Sequence, residues 1–169
     1  MKISEQNYFK KGMIGGIIVA YFSAIGMVTS FADRFLIGEI LSMGHLIFFG
    51  GALWVGISLG QDNKSSTFKS ALKNATLGGI FTAIPMTFLY FFASQFNLRE
   101  VFINLSPDLL AFLDFGFGTI GVFITALIII LLVVIVVSFQ FIPRKIAQII
   151  SNGVIWTIGL AVFSELVTQ

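Results

Sequence analysis

The chain has 169 residues, 57% of them hydrophobic and 11% charged, with a net charge of +2 and a mean hydropathy of +0.98. Ordinary soluble domains carry roughly 25% charged residues, so the expected solvent is a lipid bilayer. With no cysteine and one histidine, a disulfide framework and the common zinc spacings are excluded, and the few scattered basic residues suit membrane orientation, not nucleic acid.

The first predicted element is a span at 12–32. The 21 residues from Gly12 to Ala32 hold no charge, enough helix to cross a ~30 Å hydrocarbon core. Lys2, Lys10 and Lys11 precede it as in a signal peptide. However, the run is longer than the roughly 7–15 residues of a signal h-region. Asp33-Arg34 also follows where a small-residue cleavage site would stand, so the run reads as a retained helix. Span 2 is predicted at 40–60, after a charged connector at 33–39. The most polar segment, 61–74, carries Lys64, Lys69 and Lys73. Span 3, at 75–96, contains Pro85, which removes a backbone donor. Membrane helices tolerate this where neighbours satisfy the freed carbonyl.

The segment 97–118 is too polar to span. Ser106-Pro107-Asp108 reads as a helix start, with Ser as N-cap, Pro in the first turn and Asp facing the positive end of the dipole. A short helix at 107–114 would turn Leu109, Leu110, Phe112 and Leu113 towards the interface or the bundle, and Gly116 and Gly118 would stop it. Span 4, at 119–142, is longer than a bilayer requires and predicts tilt. Pro143-Arg144-Lys145 is a basic break. Span 5, at 147–166, includes Gln148, Ser151, Asn152 and Thr157 and either crosses or re-enters. The expected fold is an all-α, polytopic bundle of about five membrane helices in a single transmembrane domain.

The basic residues orient it. With the N-terminus inside, Lys2, Lys10, Lys11, Lys64, Lys69, Lys73, Arg144 and Lys145 are inner, and Arg34 and Arg99 are outer. Eight against two satisfies the positive-inside rule.

Two patterns stand out as candidate sites. Gly12, Gly16, Ala20 and Ala24 place small residues on one face of span 1, and Ala52, Gly56 and Gly60 do so on span 2. Such faces let backbones approach closely, either inside this chain or against another subunit. His45 is the only histidine and the only strongly titratable residue within predicted spans 1–4. It reads either as a functional intramembrane group or as a neutral imidazole hydrogen-bonded near the interface. Catalytic signatures are absent: there is no G-x-x-x-x-G-K-[ST] phosphate loop, no H-E-x-x-H and no G-x-S-x-G. No catalytic, metal or cofactor-binding residue is expected. Spans 1–4 hold no Asp, Glu, Lys or Arg, which makes an ion carrier the weakest reading.

Two longer stretches carry a resemblance: GGIIVAYFSAIGMVTSFADRFLIGEILSMG, from Gly15 to Gly44, and VFINLSPDLLAFLDFGFG, from Val101 to Gly118. They resemble the N-terminal membrane segment of bacterial ABC transporter permeases of the branched-chain amino acid (LIV) family. The resemblance implies import of a small amino-acid-like substrate across the bacterial inner membrane. Its implied partners are a permease core, cytoplasmic ATPase subunits and a periplasmic-type binding protein. The chain departs from a complete permease in lacking an E-A-A-x₃-G coupling segment. That makes it either a truncated permease or a separately encoded membrane portion, and no substrate-contact residue is carried over. The alternative is a small membrane protein that assembles or stabilises a membrane complex.

The charge asymmetry generates a direct test of topology. Single cysteines at Ser66 and Ser106, probed in intact cells with an impermeant thiol reagent, are expected to label at 106 alone. Labelling at 66 alone inverts the orientation.

Overall fold

A computed structural model describes residues 3–37, 41–63, 67–96 and 108–143. Six helices and one small hairpin are seen: α1 (Ile3–Ala24), α2 (Met27–Ser30), β1 (Phe35–Ile37), β2 (Leu41–Ser42), α3 (Met43–Asp62), α4 (Phe68–Gln95), α5 (Leu109–Asp114) and α6 (Thr119–Phe139). Among the described residues three helices, α3, α4 and α6, are long and apolar enough to cross a membrane. The chain is a helical membrane-type bundle to that extent. The expected fifth span at 147–166 lies outside the described residues.

The first element differs from its expected limits. In place of an unbroken helix over 12–32, α1 begins at Ile3, takes Lys10 and Lys11 into its own length, and ends at Ala24. Gly26 stops it with a left-handed backbone, φ 80°, the usual glycine solution at a helix C-terminus. Ser30 Oγ then donates to the Gly26 carbonyl at 2.7 Å, inside the short α2. A charge-free run measures polarity, and a glycine followed by Thr29 and Ser30 ends a helix without any charge. The uncharged part of α1 is left at about 20 Å, short of the ~30 Å core.

The start of α3 is tied to the segment before it. The Met43 N–H donates to the Arg34 carbonyl at 2.8 Å and the Gly44 N–H to the Phe31 carbonyl at 2.9 Å. Ser42 Oγ accepts the His45 N–H at 3.3 Å. Three of the amides a helix leaves unpaired at its N-terminus are thereby satisfied. The β1–β2 hairpin pairs antiparallel, Phe35 with Ser42 and Ile37 with Leu41, and holds the 31–34 carbonyls in place for this cap.

Span 3 begins earlier than expected. Thr67 caps the Ser70 N–H, so Lys69, Lys73 and Asn74 lie in the first turns of α4. At 28 residues the helix is ~42 Å long, and its polar start projects past the apolar part. The short helix between spans 3 and 4 is present as α5. Ser106 and Pro107 lie outside the described residues, and Asp108 occupies the N-cap position. Leu109 and Leu113 are buried, and Leu110 and Phe112 pack partly against the core, so α5 faces the bundle. The left-handed turn comes at Phe115 (φ 51°), before Gly116 and Gly118. At the other end α6 stops at Phe139, where the Gln140 N–H folds back onto the Val137 and Ser138 carbonyls. Its 21 residues match the bilayer at ~31 Å without the tilt that 24 would call for.

The four long helices form a bundle in which α1 and α6 each lie beside both α3 and α4, with α3 and α4 meeting across the middle. Their closest approaches are at glycine. A Cβ on Gly12 would lie 2.6 Å from the Gly78 carbonyl, and one on Gly16 would strike the Thr82 carbonyl and the Pro85 ring. Gly56 meets Val136, and Gly79 meets the Ile130 backbone. The outward face of α6, Ile120, Phe123, Leu127, Leu131 and Ile135, is exposed and wholly apolar.

Gly16→Leu and Gly56→Leu are each expected to lower the thermal unfolding midpoint in detergent, overpacking costing about 1–3 kcal/mol. Gly50→Leu, where a new side chain meets open space, is expected to leave it unchanged. Three equal midpoints would contradict close glycine crossings.

Candidate functional site

The most polar buried point of the bundle lies where α5 plugs one end of it. Asp114, the last residue of α5, is only 6% exposed. Its Oδ1 accepts the Gly116 N–H at 2.8 Å, the side-chain-to-backbone turn that aspartate favours. Its Oδ2 accepts the Tyr90 hydroxyl at 3.2 Å, which ties the turn to α4. Thr125 Oγ1, from α6, donates to the Leu113 carbonyl at 2.8 Å and so satisfies a carbonyl that the end of α5 leaves open. Gly121 admits the Asp114 carbonyl against the α6 backbone. The carboxylate thus ties α4 to the turn after α5, while the backbone carbonyls of Leu113 and Asp114 meet α6. Below it is a cavity of about 10 Å³ bordered by Met86, Thr87, Tyr90 and Thr125, room for about one water.

His45 sits at the same end. Its Nδ1 lies 2.9 Å from Ser42 Oγ and 3.4 Å from the Ser42 N–H. Nδ1 accepts that N–H. The ring stacks obliquely on Phe112 of α5, centroids 5.0 Å apart. The Ser42–His45 pair therefore terminates α3: the hydroxyl accepts the His45 amide in a reciprocal capping box. Among the described residues no further hydrogen bond to the imidazole orients the pair as a nucleophile and base. Among the described residues no three His, Cys, Asp or Glu side chains converge on a metal position.

The opposite end is held by charge. Lys11 Nζ lies 2.7 Å from Asp62 Oδ2 and donates to the Ser58 carbonyl at 2.9 Å. Asn7 donates to the same carboxylate at 2.9 Å, and Asn74 donates to Asn63 Oδ1 at 3.0 Å. These bonds join α1 to α3 and α3 to α4. Ends of α1 and α3 that the chain places far apart in sequence are brought together here.

The small-residue faces are divided between helix pairs. Gly12 and Gly16 are set against α4, with Ala24 buried and Ala20 half-buried beside the core; Gly56 and Gly60 are set against α6, with Ala52 buried in the interior. On the flank between α1 and α3 an apolar groove of about 280 Å³ opens sideways, with Gly50 and Trp54 in its lining. No known family, curated protein or solved structure matches this chain.

The sequence puts Asp114 at the end of the short 107–114 helix, Lys11 just before span 1 and Asp62 in the polar segment 61–74, with no partner indicated for any of them, and it singles out no role for Tyr90. Asp114 had a signal: an aspartate two residues before a glycine, at the end of a short apolar helix, is the pattern of a side chain bonded to its own turn. Tyr90 had none, being one aromatic among many in span 3.

Tyr90→Phe removes a bond to a buried carboxylate and is expected to cost about 1.5–3 kcal/mol. Asp114→Asn and the double variant complete a cycle read by unfolding in detergent. A coupling of about 0.5–3 kcal/mol is expected for partners in contact, and additive effects would show that the two do not meet.

Proposed function

We propose that this chain is a non-catalytic membrane subunit, contributing packed helices to a larger membrane complex and no chemistry of its own. The observation that carries the reading is how the interior spends its polar groups. Among the described residues every buried side-chain nitrogen or oxygen has a hydrogen-bond partner. Lys11, Asp114 and Ser42 serve helix ends and helix contacts, and the interior cavity beside Tyr90 is water-sized. A group intended for a substrate or ion is ordinarily left poised in a cleft.

The sequence resemblance gives the partners a second, more specific form. On it, the chain is a membrane subunit or N-terminal permease portion of an ABC-type importer for branched-chain or related amino acids in the bacterial inner membrane. It sits beside a permease core, cytoplasmic ATPases and a periplasmic-type binding protein. The orientation that fits has the N-terminus, the Lys11–Asp62 pair and the start of α4 on the cytoplasmic side. A role as an assembly or stabilising subunit of another complex shares the same physical basis.

Purification of the full tagged chain from its native membrane in mild detergent tests both. A stoichiometric membrane partner is expected. If that partner is a permease core with its ATPase, ATP hydrolysis by the complex is expected to rise with a branched-chain amino acid. A chain that stays alone, reconstitutes into liposomes and conducts ions would overturn the proposal.

A further inference from the structure

Where α4 and α6 cross at Gly79 and Ile130, their backbones are in direct contact. Nearer the end of the bundle the two helices are joined through α5 instead. Tyr90 of α4 bonds to the Asp114 carboxylate, and Thr125 of α6 bonds to the Leu113 carbonyl. The end of α5 is thus inserted between them. Leu113, 2% exposed, borders the small cavity at this level, and Met86 and Thr87 of α4 and Ala126 and Ile129 of α6 border it from the other sides. Without Leu113 in its seat, that cavity would run out to the end of the bundle as a crevice. Met86 and the hydroxyls of Thr87, Tyr90 and Thr125 would line it.

The attachment of α5 differs from that of the long helices. Its six residues are too few for a helix to persist on its own, so its order depends on its seat. It leads into a run of left-handed backbone: Phe115 at φ 51°, Gly116 at φ 78° and Gly118 at φ 60°. A residue with a side chain takes that conformation only under constraint, and for Phe115 the docking of α5 supplies it. Side chains added at Gly116 or Gly118 would meet nothing within 4 Å. Unlike the glycines at the crossings, these two are not needed for close packing, and the backbone around them has room to turn. A few uncrowded residues at the end of an element, able to absorb a large change of φ and ψ, are what a hinge requires. Across its seat α5 is held by the Tyr90–Asp114 bond at 3.2 Å and the Thr125–Leu113 bond at 2.8 Å, by burial of Leu109 and Leu113, and by Phe112 against His45 and Phe48.

We infer that α5 is a hinged plug. It swings about residues 115–118 away from the bundle and opens the space between α4 and α6 to water on its own side of the membrane, and the Tyr90–Asp114 bond is its latch. The device is independent of which partner the chain joins and of which side of the membrane carries α5.

Two measurements on the purified full chain in detergent test it. The chain has no cysteine, so a single one reports its own access to water. Ile129, 2% exposed in the cavity wall, is replaced by cysteine and treated with a water-soluble methanethiosulfonate. Ile129→Cys is expected to react at a rate set by the open population. Tyr90→Phe is expected to raise that rate about tenfold, which is what losing a bond to a carboxylate is worth. Val55, fully buried beside Gly15 of α1, is the control. Val55→Cys is expected to react equally slowly with and without Tyr90→Phe, because it is reached only when the whole bundle unfolds. Hydrogen exchange on the unaltered chain, read by NMR, needs no substitution. The Phe112 amide, bonded to the Asp108 carbonyl, is expected to exchange at least about tenfold faster than amides in the middle of α4 and α6. Exchange of Phe112 no faster than theirs overturns the plug. So does a rate at Ile129→Cys that Tyr90→Phe leaves unchanged, or one that rises only in step with Val55→Cys.

Discussion

Helices surrounded by hydrocarbon gain nothing by hiding apolar side chains from it; they stay together where their backbones come close enough for dispersion contacts to exceed those with lipid. In this chain that closeness depends on glycine. Gly12 and Gly16 bring α1 onto α4, Gly56 brings α3 onto α6, and Gly79 brings α4 onto α6. The remaining apolar side chains are interchangeable with lipid on their outward faces, as the exposed row on α6 illustrates.

The polar groups then act as fasteners at the two ends, where close backbones alone leave the helix termini unpaired. At one end Lys11 and Asn7 meet Asp62. At the other the carbonyls of 31 and 34, the Ser42–His45 cap and the Asp114–Tyr90 bond close the termini of α3, α5 and α4 against one another. The short α5 matters out of proportion to its length because Leu109 and Leu113 enter the core while Asp114 binds the helix opposite.

Much of this was legible in the sequence, and the exceptions share a cause. Charge-free runs located α3, α4 and α6, because lipid tolerates so few charges that their absence is a strong signal. The same runs misplaced helix ends, because ends are set by local backbone chemistry: the left-handed Gly26, the Thr67 cap, and the tightening at Gln140 before Pro143. Spacing found the glycines that sit at crossings but could not say which helix each would meet, since that depends on how the bundle closes. The partners of Asp114 and Lys11 were not legible because a short loop and a helix terminus look alike in sequence, whether water or another helix covers them.

The order in which the helices emerge from the ribosome gives the α1–α4 contact a consequence for biosynthesis. The amino-terminal helix carries two lysines and is the least apolar of the four long helices, and the backbone it fits most closely, at Gly78 and Thr82, is made only after α3. Until α4 arrives, α1 has the Gly15–Gly51 crossing and the Lys11–Asp62 pair to keep it beside α3. The α1–α3 contact, salt bridge included, needs nothing from α4, so it is the part of the α1 packing that the chain can form before α4 is made.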